Sequence, residues 1–149
     1  MAWVRCCGGS TKKNIIYENG SQFEALGATG YSYAGGGGII EGEYNADNIH
    51  LKATTSSAVA GTLNAIDVSN YTTLHFLIKS GSAQATRYGC SATKLIPTSA
   101  SIHNSSIYTV TSDYIEVAVS TVGLSTAYIW VACTQTNTSE CWIKKIWLT

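Results

Sequence analysis

The chain has 149 residues, 45% of them hydrophobic but only 12% charged, with nine acidic and nine basic side chains and a formal net charge of zero. That length fits one domain able to bury its own core, and neutrality without a basic stripe removes the electrostatic footprint of a nucleic-acid-binding protein. No apolar run approaches the roughly 18 to 20 residues that span a bilayer, and the start has no apolar stretch of about 7 to 15 residues of the secretory kind, so the expectation is no membrane insertion and a chain that is either cytosolic or leaves the cell by another route.

Residues 1–13 differ in texture from the rest. Trp3 and Val4 precede Arg5, the adjacent Cys6 and Cys7, Gly8-Gly9 and Lys12-Lys13. A short apolar and basic head followed by glycines reads as an N-terminal docking arm, with residues 14–149 forming the domain proper. Neighbouring strand residues face opposite ways, so at most one of Cys6 and Cys7 would be buried; docking feature, intermolecular thiol and no role all stay open.

Asn14 to Tyr17 is a short strand candidate closed by the turn signal Glu18-Asn19-Gly20. Ser21 to Gly42 is rich in glycine and aromatics, with Phe23, Tyr31, Tyr33 and the run Gly35 to Gly38. That run lacks the Lys-Ser/Thr and following helix of a phosphate loop and reads as a connection. Asn48 to Thr55 alternates, with Ile49, Leu51 and Ala53 opposite His50 and Lys52. Ser56 to Thr62 reads as a small-residue connection.

Ala65 to Ser80 is the clearest strand region. Ile66, Val68 and Tyr71 lead through Ser69-Asn70 to Leu74, Phe76 and Ile78 on one face, with His75 and Lys79 on the other, the pattern of an antiparallel sheet with one buried face. Asp67, near Asn70, is expected to cap the turn into it through side-chain to backbone hydrogen bonds. Ala85 to Thr93 alternates again, with Tyr88, Cys90 and Ala92 opposite Arg87, Gly89 and Ser91. Pro97 sits in a polar loop.

Three strands close the chain. Tyr114 to Ser120 turns Ile115, Val117 and Val119 inward; Tyr128 to Thr134 puts Ile129, Val131 and Cys133 on one face and Tyr128 and Trp130 on the other. Cys141 to Thr149 is apolar on both sides of Lys144-Lys145, which predicts a bulge or a change of sheet at the lysines. No segment shows a capped 3.6-residue period. About eight short strands joined by Ser/Thr/Gly/Asn turns predict an all-β, antiparallel β-sandwich.

The five cysteines form no C-x-x-C pair and no zinc spacing, and their odd number opposes a fully paired disulfide framework. Cys90 and Cys133 read as small buried hydrophobes.

Residues 40 to 149 resemble a family of jelly-roll β-sandwich domains, related to galactose-binding-like and carbohydrate-binding modules, in tail and other virion proteins of phages and prophages of Gram-positive gut bacteria. The likeness lies in Ala65-Ile-Asp-Val-Ser-Asn-Tyr-Thr-Thr-Leu74, in Tyr114-Ile-Glu-Val117 leading to Val122-Gly-Leu-Ser125, and in the ending Ile143-Lys-Lys-Ile-Trp-Leu148. It implies a non-enzymatic virion structural protein, a capsid decoration or tail-associated subunit docked to other virion proteins through Trp3, Arg5, Cys6 and Cys7. It also implies a homo-oligomer, with a trimer one order to expect, and a weak affinity for host-surface or mucosal glycans. A stand-alone lectin-like module is the alternative, and a glycan-degrading enzyme a third.

A sugar-binding sandwich presents aromatic rings beside polar groups, because the apolar face of a pyranose stacks on a ring while amides or carboxylates take its hydroxyls. Tyr128 and Trp130 are the first platform expected; with reversed parity they would fill the core. Tyr31, Tyr33 and Tyr44, near Asp47, are the second, or else they pack over a core edge. No cofactor is expected, and although such sandwiches often carry a structural calcium, no dense Asp/Asn loop offers one a cage. His50, His75 and His103 lie in different segments and read as solvent-facing; no nucleophile elbow or zinc-protease motif accompanies them. Glu41 with Glu43, or Glu116 with a distant partner, can be drawn as a glycosidase pair only with geometry in hand.

Overall fold

The computed structural model describes residues 13–18, 42–44, 49–53, 58–62, 64–81, 86–94, 103–107, 109–133 and 139–149. The docking arm before Lys13, Tyr31, Tyr33, Gly35 to Gly38 and Pro97 lie outside them. The described residues hold eleven strands and no helix: β1 (Asn14–Glu18), β2 (Gly42–Tyr44), β3 (Ile49–Ala53), β4 (Ala58–Gly61), β5 (Ile66–Asp67), β6 (Thr73–Ser80), β7 (Thr86–Ser91), β8 (Asn104–Ile107), β9 (Ile115–Ser120), β10 (Thr126–Cys133) and β11 (Ser139–Leu148). The chain is thus an antiparallel β-sandwich, as its alternation predicts. The short β2, β4, β5 and β8 raise the count above the expected eight.

A six-stranded sheet runs β2-β3-β11-β6-β9, with β1 also on β11; a five-stranded sheet runs β4-β10-β7-β8, with β5 also on β10. β11 is the axis of the first sheet. Along one side it carries β6; along the other it carries β3 against Ser139 to Ile143 and then β1 against Lys145 to Leu148.

Period two builds the core between the sheets. β6 alternates without a fault: Leu74, Phe76, Ile78 and Ser80 are buried, and His75, Leu77 and Lys79 half-buried. Ile49 and Leu51 from β3, Ile143, Ile146 and Leu148 from β11, and Ile129, Val131 and Cys133 from β10 join them. Phe76 and Tyr88 meet across the sandwich with ring centroids 5.4 Å apart. Each such side chain contributes about 1.5–3 kcal/mol when fully buried. The parities expected for β3, β6, β7, β9 and β10 hold. At the edge strand β9 the inward-facing Ile115 stays 38% exposed, and Ala92, expected inward, lies exposed beyond the end of β7.

Two expectations are corrected. The small residues from Ala58 are not a connection: Ala58 to Gly61 form a strand buried on both faces, with Ala58 and Ala60 toward the main core and Val59 toward a second cluster with Trp130 and Ala132. Their small size lets both faces be covered closely, which erases the alternation a sequence reader looks for. His103 is buried, not solvent-facing; its Nδ1 lies 2.8 Å from the carbonyl of Ser120.

The turn at Asp67 forms as expected, although its partner is Ser69. The Asp67 carboxylate accepts hydrogen bonds from the Ser69 amide at 2.9 Å and hydroxyl at 2.6 Å, which lowers its pKa. Between β9 and β10, Gly123 takes a φ of 91°, a left-handed conformation that other residues rarely adopt.

Candidate functional site

The two sheets treat their outer faces differently. On β10, Tyr128, Trp130 and Ala132 do point away from the inter-sheet core, yet Trp130 and Ala132 are fully buried with Val59, and Tyr128 is half-buried against them. Trp130 stands in register between Gly61 of β4 and Gly89 of β7, and its indole Nε1–H has no hydrogen-bond acceptor among the described residues. Its outward parity is as expected, but the ring is packed scaffold, not an open platform. Of the other expected platform, Tyr44 ends β2 opposite Ile49.

The outer face of the six-stranded sheet is the one that stays accessible, and it gathers the aromatic and charged side chains. Trp142 and Trp147 both stand on it. They are five positions apart on one strand, and an odd spacing puts side chains on opposite faces of a regular strand. The register shift between Ile143 and Lys145 removes the conflict. Lys144 is the extra residue of a β-bulge, as the lysine pair predicts, so Ile143 and Ile146 both reach the core and both tryptophans face out.

Each tryptophan is flanked by the residues its register supplies. Trp142 pairs with His50 on one side and Lys79 on the other; the His50 ring stacks on it at 4.9 Å with an interplanar angle of 4°, and the Lys79 ammonium lies 5.5 Å from the ring centroid. Trp147 pairs with His75, stacked at 5.0 Å and 6°, and takes Lys13 at 5.5 Å and Lys145 at 5.7 Å. Trp142 is half-buried, whereas Trp147 keeps only 9% of its surface exposed. Beside them Lys144 lies 5.6 Å from the Tyr114 ring.

The carboxylates here are held by cations and imidazoles. Glu140 meets His50 Nε2 at 3.1 Å and Lys52 at 3.4 Å; Glu116 meets His75 Nδ1 at 3.0 Å, while His75 Nε2 lies 2.8 Å from the Thr149 hydroxyl. Glu18 accepts from Lys145 at 2.6 Å, and that bond lowers the Glu18 pKa. A His–Trp stack with a carboxylate behind the imidazole fixes the ring's rotamer, so the tryptophans are oriented before any ligand arrives.

Close approach of backbone also positions Trp142. A Cβ built on Gly81 would lie 2.6 Å from Cζ3 and 2.8 Å from Cη2 of its indole. Gly81 leaves the room that the indole edge occupies.

Sequence reasoning had His50, Lys52, His75 and Lys79 on the outward faces of their strands but did not join them to Trp142 and Trp147. The outward parity was the available signal; which strands lie beside β11 was not. Among the described residues no three His, Cys, Asp or Glu side chains gather as a metal site, and no helix is long and apolar enough to cross a membrane.

No protein-family model and no curated protein sequence matches the chain. Solved structures do match. Two are variants of a family 29 carbohydrate-binding module, one made to probe ligand recognition: TM-score 0.54 for both, identities of 12% and 13%, covering 93% and 92% of this chain and 91% and 90% of theirs. A third is the glycoside hydrolase domain structure of Endo-D from Streptococcus pneumoniae R6, with TM-score 0.53 and 11% identity over 77% of this chain and 20% of that one. At these identities the likeness is one of fold: the chain shares the β-sandwich of carbohydrate-binding modules.

Proposed function

We propose that this protein is a non-catalytic, lectin-like carbohydrate-binding module whose ligand face is the outer face of the six-stranded sheet, with Trp142 as the principal platform. The observation that carries the reading is the pair of oriented indoles on that face, each stacked on an imidazole and bordered by ammonium and carboxylate groups. A ring held on one side by the His50 imidazole offers its other side to sugar C–H groups once the Lys79 side chain swings off it, and the polar side chains around it take hydroxyls. The sandwich shared with carbohydrate-binding modules supports the same reading. A non-catalytic role fits the engagement of Glu18, Glu116 and Glu140 in ion pairs, which leaves none of them standing free as a general acid or base.

Affinity electrophoresis against a panel of soluble polysaccharides tests this. Retardation by at least one glycan, lost in Trp142→Ala with the melting transition retained, is the expected result. Binding to nothing in the panel, or retardation unchanged by the substitution, overturns the reading.

The setting we propose is a phage particle surface, with attachment through residues 1–13 and many copies strengthening a weak affinity. The family resemblance alone supports that setting, and none of the compared structures named above is a virion protein. Mass spectrometry of purified virions checks it.

A further inference from the structure

We infer that the glycan is anionic: a polysaccharide carrying carboxylate or sulfate groups. This rests on the glycan-binding reading and adds the ligand's charge to it.

Five of the seven lysines in the chain, Lys13, Lys52, Lys79, Lys144 and Lys145, lie on this one face. Two are neutralised, Lys52 by Glu140 and Lys145 by Glu18. The other three lie beside an aromatic ring, Lys13 by Trp147, Lys79 by Trp142 and Lys144 by Tyr114; Lys13 also acts on the Glu18 carboxylate, while Lys79 and Lys144 have no ion-paired carboxylate among the described residues. Every carboxylate whose side chain is described here is engaged, Glu18 and Glu140 by lysine and Glu116 by His75. Positive charge without an ion-pair partner among the described residues therefore sits beside the Trp142 and Tyr114 rings, on Lys79 and Lys144.

That placement matches an acidic sugar. A pyranose that takes the place of the Lys79 ammonium over the Trp142 ring carries its carboxylate or sulfate at the sugar's edge, where the displaced ammonium, on its flexible stem, gains a charge-assisted hydrogen bond. The pairing is repeated. Trp142 and Trp147 stand opposite Lys79 and His75, four residues apart on β6 and so about 13 Å apart along the strand, which suits successive acidic units of a polymer better than one sugar.

The test is affinity electrophoresis and biolayer interferometry at low and physiological salt. Polygalacturonate and chondroitin sulfate serve as carboxylate and sulfate probes, galactomannan and xylan as neutral ones, and a single-stranded oligonucleotide as a polyanion without sugar stacking of this kind. The expected result is a preference of about tenfold or more for an anionic glycan, reduced by salt, abolished in Lys13→Gln/Lys79→Gln/Lys144→Gln, and lost outright in Trp142→Ala. Which of the two anionic probes binds assigns the charged group. Equal or tighter binding of a neutral glycan overturns the anionic inference but leaves the module reading intact. No glycan binding at all removes both. Oligonucleotide retention matching the acidic glycans also overturns the inference, because charge and base stacking on the rings would then explain it without a sugar.

Discussion

Gly81→Ala is predicted to act through one contact, the indole of Trp142. The new methyl would meet Cζ3 and Cη2 at 2.6 and 2.8 Å, so the ring must withdraw by about 1 Å to regain ordinary carbon contact. Overpacking of this kind costs about 1–3 kcal/mol. Gly81 has no left-handed φ to protect, so the same substitution also stiffens the unfolded chain, with a gain of about 0.4–1 kcal/mol. The net expected loss is on the order of 1–2 kcal/mol, or a few degrees in melting temperature for a chain of this size. With Trp142→Ala already present the obstacle is gone, and Gly81→Ala becomes neutral or slightly stabilising. Urea or thermal melts of the four proteins of this cycle should therefore give a coupling of about 2 kcal/mol. The reading of the face adds that Gly81→Ala alone weakens glycan binding, because the ring it displaces is the platform. An equal stability cost with and without Trp142 would refute the contact.

Trp130→Ala is expected to cost about 3–5 kcal/mol, because it empties a fully buried site, and to leave glycan affinity unchanged in whatever fraction stays folded; denaturant melts and binding at low temperature check both. The buried thiols should be inert in the native state: burial pushes Cys90 up to about 12, and Cys141 is raised by its hydrogen bond with Cys133, the sulfurs lying 3.2 Å apart, and by burial. Peptide mapping after alkylation at pH 8 should find all three unmodified in native protein and modified in urea. For Glu18 the folded pKa is depressed by Lys145, so its stabilising contribution is present above the ordinary glutamate range and is lost as pH falls through the depressed value. Lys145→Gln should flatten that acid limb in melts taken from neutral pH downward. The effect will be small, since Glu18 is 41% exposed.

Most of the fold was legible because most strands have one covered face. Leu74, Phe76 and Ile78 against His75 and Lys79 could be read at once, and so could Ile49 and Leu51 against His50 and Lys52. β4 was illegible for the opposite reason: Ala58, Val59 and Ala60 are all buried, so nothing alternates. The same cause misled the search for a platform. Parity placed Trp130 outside the inter-sheet core, but parity says nothing of whether a second cluster covers that face. The half-buried ring of Trp142 was hidden by pairing. His50 and Trp142 are 92 positions apart in the chain and become neighbours only because β3 lies on β11, a fact that period-two patterns do not contain.

The bulge at Lys144 links these observations. Without it, the inward set Cys141, Ile143, Ile146 and Leu148 could not coexist with an outward pair at Trp142 and Trp147, since one half of β11 would be inverted relative to the other. With it, a single ten-residue strand keeps its aliphatic side chains in the core along its whole length and sets both indoles on the same face. The bulge also falls where the neighbour along one side of β11 changes from β3 to β1: Trp142 stands beside His50 of β3 on that side, and Trp147 beside His75 of β6 on the other. The five-stranded sheet has both faces of β10 buried and can serve only as support there. The six-stranded sheet has a core face and a presented face, and Lys144, the residue that reconciles them, is itself one of the lysines left unneutralised.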